Sequence, residues 1–279
     1  MMVDAVNKEM SMNTSNPALL YAARYASRDL VAGFVRRHRA LVIYAFLMVG
    51  LMVPTLVLMA FDERTTREVG VWAKPLKFMA STALFALSTA WFMDLLPESV
   101  RTSPANRAMT WTVILTSAFE VAYISIQGAL GEPSHYNVAD AFHAAMFSLM
   151  AVAAVLLTGT QAFLAWQIFV HGVQRPRPVA TQAVIVGLVL TFVLATTSGF
   201  MLGASQPPAG VGLPVVGWHL TGGDIRPAHF LGVHAQQFIP LAGFLLQRYA
   251  GHAAGLWLAA FVTAYSAAWL LLAVAGLQA

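Results

Sequence analysis

Ionisable side chains stand inside several long apolar stretches of this sequence, where hydrocarbon makes a charge costly. The clearest is Glu120, which lies in the middle of the apolar segment Ala108–Leu130. Charges of this kind are retained mainly where they pair or line a functional cavity. We therefore predict Glu120 as the catalytic group, acting as a metal ligand, as the partner that orients a histidine, or as a proton carrier.

Further polar residues recur around Glu120 at helical spacing. Thr112, Thr116, Tyr123 and Gln127 are separated from it and from one another by three or four residues. This spacing places them on one face of a helix. We expect that face to point into a helix bundle, with Tyr123 and Gln127 lining a polar pocket.

Five of the eight histidines fall near the same predicted side of the membrane: His135, His143, His219, His229 and His234. Imidazoles and carboxylates are ordinary ligands of zinc and iron, and imidazole also suits copper. Two histidines on separate helices can also hold a b-type haem. We predict His143 and His234 as the cofactor ligands, with His135, His229 and Glu120 as further metal ligands. The cofactor would be haem b or a divalent metal such as zinc, iron or copper.

Other polar residues are predicted to complete this pocket. Asn137 and Asp140 lie just before an apolar segment, and Asp140 is placed to cap a helix. Gln237 follows His234 on the sixth apolar segment. Lys74 and Lys77 stand together at the start of the second, where they would attract an anionic substrate or headgroup. Their alternative role is to snorkel to lipid phosphates.

The elements that must position these groups are membrane helices. Of the 279 residues 58% are hydrophobic and only 10% are charged, whereas soluble domains carry about 25% charged residues. The absence of cysteine excludes disulfides and thiolate chemistry. Seven segments are long and apolar enough to span a bilayer, namely Ala40–Phe61, Pro75–Leu96, Ala108–Leu130, Ala141–Val170, Ala180–Ala204, Ala228–Tyr249 and Ala253–Leu277.

Lysine and arginine counts predict the orientation of this bundle. Eleven lie in the N-terminal arm and the alternate loops, against five on the other side. The N-terminus is therefore expected inside and the C-terminus outside, in a cell membrane of the bacterial inner-membrane type. We predict two parts: a basic arm over 1–39 with an amphipathic interfacial helix, and an all-α seven-helix transmembrane domain over 40–279.

Three functions fit this pattern. The first is a haem- or metal-binding protein of redox or oxidoreductase type, with a quinone or another lipophilic molecule as its partner in the bilayer. The alternative is a proton-coupled transporter of a small solute that uses Glu120, and the third is a sensor or assembly factor. The modest net charge of +4 reflects orientation rather than a nucleic-acid partner. The pattern is compatible with an enzyme and with a homo-oligomer.

Overall fold

The computed structural model describes residues 29–174, 176–210, 212–214, 216–220 and 222–278. Within these ranges the protein is a helical bundle. Its helices are α1 (Asp29–Arg37), α2 (Arg39–Phe61), α3 (Ala73–Met93), α4 (Glu98–Arg101), α5 (Pro104–Leu130), α6 (Ala141–His171), α7 (Val179–Ala204), α8 (Arg226–Tyr249) and α9 (Ala254–Leu277), with a 3-10 turn over Gly251–Ala253.

Six of the described helices are long and apolar enough to cross a membrane: α2, α3, α5, α6, α7, and α9 together with the turn before it. The multi-pass helical architecture expected from the sequence is therefore supported. The sixth predicted span does form a helix of 24 residues, α8, but its polar side chains keep it out of this apolar group. We call the end of the bundle that carries residues 62–72, 131–140 and 205–225 the outer end, following the predicted orientation.

The arm is described only from Asp29 onward. There, α1 is a short helix with Arg36 and Arg37 in its last turn. The part of the predicted amphipathic helix that precedes Asp29 lies outside the described residues.

A short β-hairpin interrupts the all-helical pattern at the outer end. β1 (Thr65–Thr66) pairs antiparallel with β2 (Val69–Gly70). The two residues of its tight turn, Arg67 and Glu68, have positive φ values of 52° and 67°, as the primed hairpin turns require. Arg67 donates to the Pro207 carbonyl at 2.6 Å and accepts from the Gly210 amide at 3.2 Å. The hairpin thus anchors the long loop between α7 and α8.

α7 and α8 form the closest helix pair, because glycine lets their backbones approach. A Cβ on Gly232 would lie 2.7 Å from the Ala195 nitrogen, and one on Gly243 would lie 2.2 Å from the Ala183 Cβ. Both distances are too short for any side chain, so α8 is fixed against α7. This contact sets the position of every polar group on the remaining faces of α8.

At the opposite end of the bundle, which we call the inner end, Asp94 joins the arm to the end of α3. Its side chain, 4% exposed, accepts from His38 Nε2 at 2.8 Å and Arg37 Nη2 at 2.9 Å, with Arg101 Nη1 at 3.5 Å. Burial acts to raise the pKa of Asp94, but the hydrogen bonds from His38 and Arg37 outweigh it and hold this pKa below its usual value. The carboxylate therefore stays ionised and ties three segments together.

We expect Asp94→Asn to destabilise the protein by roughly 3 kcal/mol at pH 7, since it removes the buried negative charge on which Arg37, His38 and Arg101 converge. The pKa of Asp94 is depressed by folding, so this contribution is present above pH ~4 and is lost as the pH falls further. The difference between wild type and variant should therefore shrink in acid. Thermal unfolding in detergent between pH 3 and pH 7 measures it.

The exposed acid Glu98, four residues away at the same end, supplies the control. Glu98→Gln should leave the melting temperature within a degree or two of wild type. Equal effects of the two substitutions at pH 7 would contradict the role given to Asp94.

Candidate functional site

A cavity of about 380 Å³ opens at the outer end of the bundle. It lies between the start of α3, the end of α5, the turn before α6 and the loop that joins α7 to α8. Four basic residues line it: Arg67, Lys74, Lys77 and Arg226. Its walls also include His135 and His229 and the aromatic rings of Phe78, Tyr136 and Trp218.

Lys74 is held by the turn that follows α5. Its ammonium donates to the Ser134 hydroxyl at 2.9 Å and contacts His135 Nδ1 at 2.9 Å. Burial, and then the neighbouring charge of Lys74, lower the pKa of His135 well below its usual value. The imidazole is therefore neutral, and its Nδ1 accepts a hydrogen bond from the ammonium. Both partners of Lys74 are neutral, so its positive charge is left uncompensated by direct contact.

Arg226 is positioned by a buried carboxylate. Asp224, 2% exposed, accepts from the Arg226 side chain at 2.8 and 2.7 Å and from the His219 amide at 2.8 Å. Burial acts to raise the pKa of Asp224, but the bonds from Arg226 and His219 lower it below its ordinary value. This ion pair fixes the guanidinium at the edge of the cavity.

Lys77, like Arg67, is an exposed cation of the cavity. Its ammonium donates to the Val216 carbonyl at 3.1 Å. Within the part of the chain that the structure describes, neither Lys77 nor Lys74 forms an ion pair with a carboxylate. With all basic groups protonated, the four cations of the cavity outnumber Glu132 on its wall, Asp224 behind Arg226 and the buried Glu120 beneath it. The site is therefore rich in positive charge.

Glu120 lies deeper, on the face of α5 that points into the bundle. Glu120, Tyr123 and Gln127 are buried, as their helical spacing predicts, whereas Thr112 and Thr116 of the same predicted face are only part-buried. The Glu120 charge interacts with the Lys74 charge. Across the described residues no side chain or backbone group hydrogen-bonds the Glu120 carboxyl. The Tyr123 hydroxyl and Gln127 Oε1 are likewise buried without a partner.

His143 lies in a cluster of its own at the start of α6. Its Nδ1 lies 2.8 Å from Asp140 and its Nε2 lies 3.1 Å from Glu132. Asp140 is the cap of α6, as the sequence predicts, and accepts from the His143 amide at 2.9 Å. Asn137 accepts from the Ala139 amide at 3.3 Å, within the same turn. Both ring nitrogens of His143 are thus engaged by local carboxylates.

The two histidines of α8 face different surroundings. His229 lines the cavity, and its Nδ1 contacts the Ser198 hydroxyl at 3.1 Å. His234 lies deeper, between Ser81 at 3.5 Å and Gln237 at 3.2 Å. Of the four predicted ligand histidines, the structure therefore brings His135 and His229 to one cavity and places the other two elsewhere.

These positions bear on the predicted cofactor. Throughout the described ranges, no three or more His, Asp or Glu side chains are grouped so that they could hold a metal ion. His143 and His234 contact separate sets of neighbours, so their pairing as haem ligands stays a prediction without support from the geometry. The cavity instead brings together four basic side chains.

The cavity residues that were not identified as site residues from the sequence include Arg67, Arg226 and Trp218. From the sequence alone, the two arginines count only as evidence of orientation. A signal was nevertheless present, because cations are disfavoured on the outer side of a membrane protein. Four of the five basic residues assigned to that side line this one cavity.

Comparison with protein-family models, with curated proteins and with solved structures finds no match to this chain. Its function is therefore argued from the site itself rather than from a shared fold.

Gly128 lets the end of α5 approach the start of α3, next to Lys74. A Cβ at this position would lie 2.9 Å from the Val71 carbonyl oxygen and 3.4 Å from Pro75 Cγ. We expect Gly128→Ala to push the two segments apart and to destabilise the protein by about 1–3 kcal/mol. Thermal unfolding in detergent measures the change.

Gly159 provides the matched control, because it also lies inside a helix but has nothing within 4 Å of the added Cβ. Gly159→Ala should melt at or slightly above the wild-type temperature, since alanine favours helix more than glycine does. A Gly128→Ala protein as stable as Gly159→Ala would show that the contact with α3 is not tight.

Proposed function

We propose that this protein is a membrane carrier that binds a small anion at its outer end and moves it together with a proton. The observation that carries the proposal is the shared cavity of Arg67, Lys74, Lys77 and Arg226. The alternative predicted from the sequence, proton-coupled transport, thus fits the geometry better than redox chemistry. In this proposal α8 is a seventh span, because 24 residues of helix measure about 36 Å.

The charge and size of the cavity favour a small anion. Its four basic residues attract negative charge, and a compact dicarboxylate or phosphate presents two such charges at short range. A volume of about 380 Å³ lies in the usual range of small-molecule pockets. The Phe78 and Trp218 rings add apolar surface for the body of an organic acid.

Glu120 supplies a link between the anion and a proton. Its carboxyl is buried and interacts with the charge of Lys74, which itself lines the cavity. An anion bound at Lys74 adds negative charge beside Glu120, so it favours the protonated carboxyl. By linkage, a proton on Glu120 favours the anion to the same extent. The pair can therefore load anion and proton together.

A metal or haem centre is less well supported by the same observations. His135 and His229 do line one cavity. A divalent cation between them would, however, lie among four positively charged side chains, where Coulomb repulsion opposes its binding. The redox function and the sensor or assembly role have no comparable observation in their favour.

We expect Lys77→Met to weaken the binding of succinate and inorganic phosphate about threefold to tenfold. Lys77 is exposed, so its loss removes charge attraction without emptying a packed core. Ligand binding to the folded state raises its stability. The rise in melting temperature with ligand concentration, measured in detergent, gives the affinity of each variant.

Arg248→Gln is the matched control, since Arg248 is an exposed cation at the opposite end of α8 from Arg226. It should bind both anions as wild type does. Wild-type protein that gains no stability from either anion, or a Lys77→Met protein that binds them unchanged, would contradict the assignment of this cavity as an anion site.

Glu120→Gln should retain succinate binding but lose the stimulation of uptake by a pH gradient. The amide keeps the shape of the side chain and cannot take up a proton, so only the coupling is removed. Uptake of radiolabelled succinate into proteoliposomes, with the outside at pH 6 and the inside at pH 7.5, measures the stimulation.

Glu63, an exposed acid beside the outer hairpin, serves as the comparison. Glu63→Gln should keep the full response to the gradient. If Glu120→Gln proteoliposomes respond to the gradient as wild type does, Glu120 is not the coupling group.

A further inference from the structure

Beneath the cavity, α3 and α8 face each other with polar side chains. We call Ser81, Ser88, His234 and Gln237 the α3–α8 seam. Ser81 Oγ lies 3.5 Å from His234 Nε2, His234 Nδ1 lies 3.2 Å from Gln237 Oε1, and the Gln237 amide donates to Ser88 Oγ at 3.1 Å. One hydrogen-bonded series therefore runs along the two helices toward the inner end.

The seam continues directly from the cavity. Lys74, Lys77, Ser81 and Ser88 follow one another at spacings of three, four and seven residues, so they share one face of α3. Lys77 lines the cavity, and Ser81 lies about one turn below it. On α8, His229 also lines the cavity, and His234 follows it by five residues, about one and a half helical turns further in. The seam begins at the cavity floor on both helices.

Hydrogen bonds between membrane helices ordinarily serve adhesion. Here, however, the described parts of α3 and α8 do not pack closely as helices, whereas α8 is packed tightly against α7. The seam also cannot act as a simple proton wire, because a glutamine amide does not pass a proton readily. Its hydroxyl, amide and imidazole groups are neutral donors without a carboxylate among them, which suits a passing anion.

An aromatic stack lies at the inner end of the seam. Trp91 lies about one turn beyond Ser88 on α3, and its ring stacks on Phe244 of α8 with centroids 5.1 Å apart and planes 3° from parallel. Stacked rings leave no room for a hydrated solute between them. Trp91 is 44% exposed, so the stack narrows the gap between the two helices from its outer face.

We propose that the α3–α8 seam is the path by which the bound anion crosses the bundle, and that the Trp91–Phe244 stack is its inner constriction. This inference rests on the proposed function, since it supplies the route for the anion held at Lys77. The structure then corresponds to a carrier open at its outer end. Separation of the two rings would open the seam to the inner side.

Cysteine accessibility tests this path, and the chain offers a clean background because it contains no cysteine. Ser81→Cys and Ser88→Cys proteins in liposomes should react from the outer side with the anionic thiol reagent 2-sulfonatoethyl methanethiosulfonate. The cationic trimethylammonium analogue should react more slowly, because it must pass the four basic residues. Adding Trp91→Ala should speed the reaction of Ser88→Cys from the inner side at least tenfold.

Ser148 is the matched control for Ser81, since it lies at a similar distance from the outer end of its own helix. Its face of α6 is exposed on the outside of the bundle, so in a membrane it would contact lipid and not the proposed path. Ser148→Cys should react at least tenfold more slowly than Ser81→Cys. Equal rates for these two, or an inner-side rate that Trp91→Ala leaves unchanged, would overturn the proposed path. If the path fails this test but succinate binding still depends on Lys77, the proposed function stands without the path. If succinate binding does not depend on Lys77 either, both the proposed function and the path are contradicted.

Discussion

Four basic side chains share one small cavity at the outer end of the bundle, and their mutual repulsion is the interaction on which the site depends. At the start of α3 this repulsion adds to the unfavourable position of cations at a helix N-terminus. The protein holds the charges in place with neutral or local partners, such as Ser134 and His135 at Lys74 and the buried Asp224 at Arg226. In the proposed carrier, an anion that enters would relieve this repulsion, so the cost of assembling the site would be recovered as binding affinity.

Several contacts elsewhere in the structure position these basic residues around the cavity. Gly128 brings the end of α5 against the start of α3, and the hairpin turn at Arg67 anchors the loop between α7 and α8. Glycines on α8 fix that helix against α7, so its remaining polar face is free to meet α3. The same arrangement leaves Glu120 buried without a hydrogen bond near Lys74, where in the proposed carrier its charge would respond to an anion in the cavity.

Helical periodicity and charge in the sequence predicted those features of the site that depend on residues close together in the chain. The spacing around Glu120 predicted the inward direction of Glu120, Tyr123 and Gln127 on α5, and Asp140 caps α6 as its position indicates. Arg67 and Arg226 could not be placed, because a tight turn with positive φ and a long loop bring together residues that are far apart in the chain. His143 was paired with His234 from depth alone, whereas its nearest partners are the local acids Glu132 and Asp140.

The most direct test of the account is to locate an anion in the protein experimentally. Crystals grown in bromide would show the ion by its anomalous scattering, without any assumption about the physiological ligand. The account predicts a bromide peak in the outer cavity, in contact with the Lys77 ammonium or the Arg226 guanidinium. Well-ordered crystals with bromide bound at other surfaces and none in this cavity would contradict it.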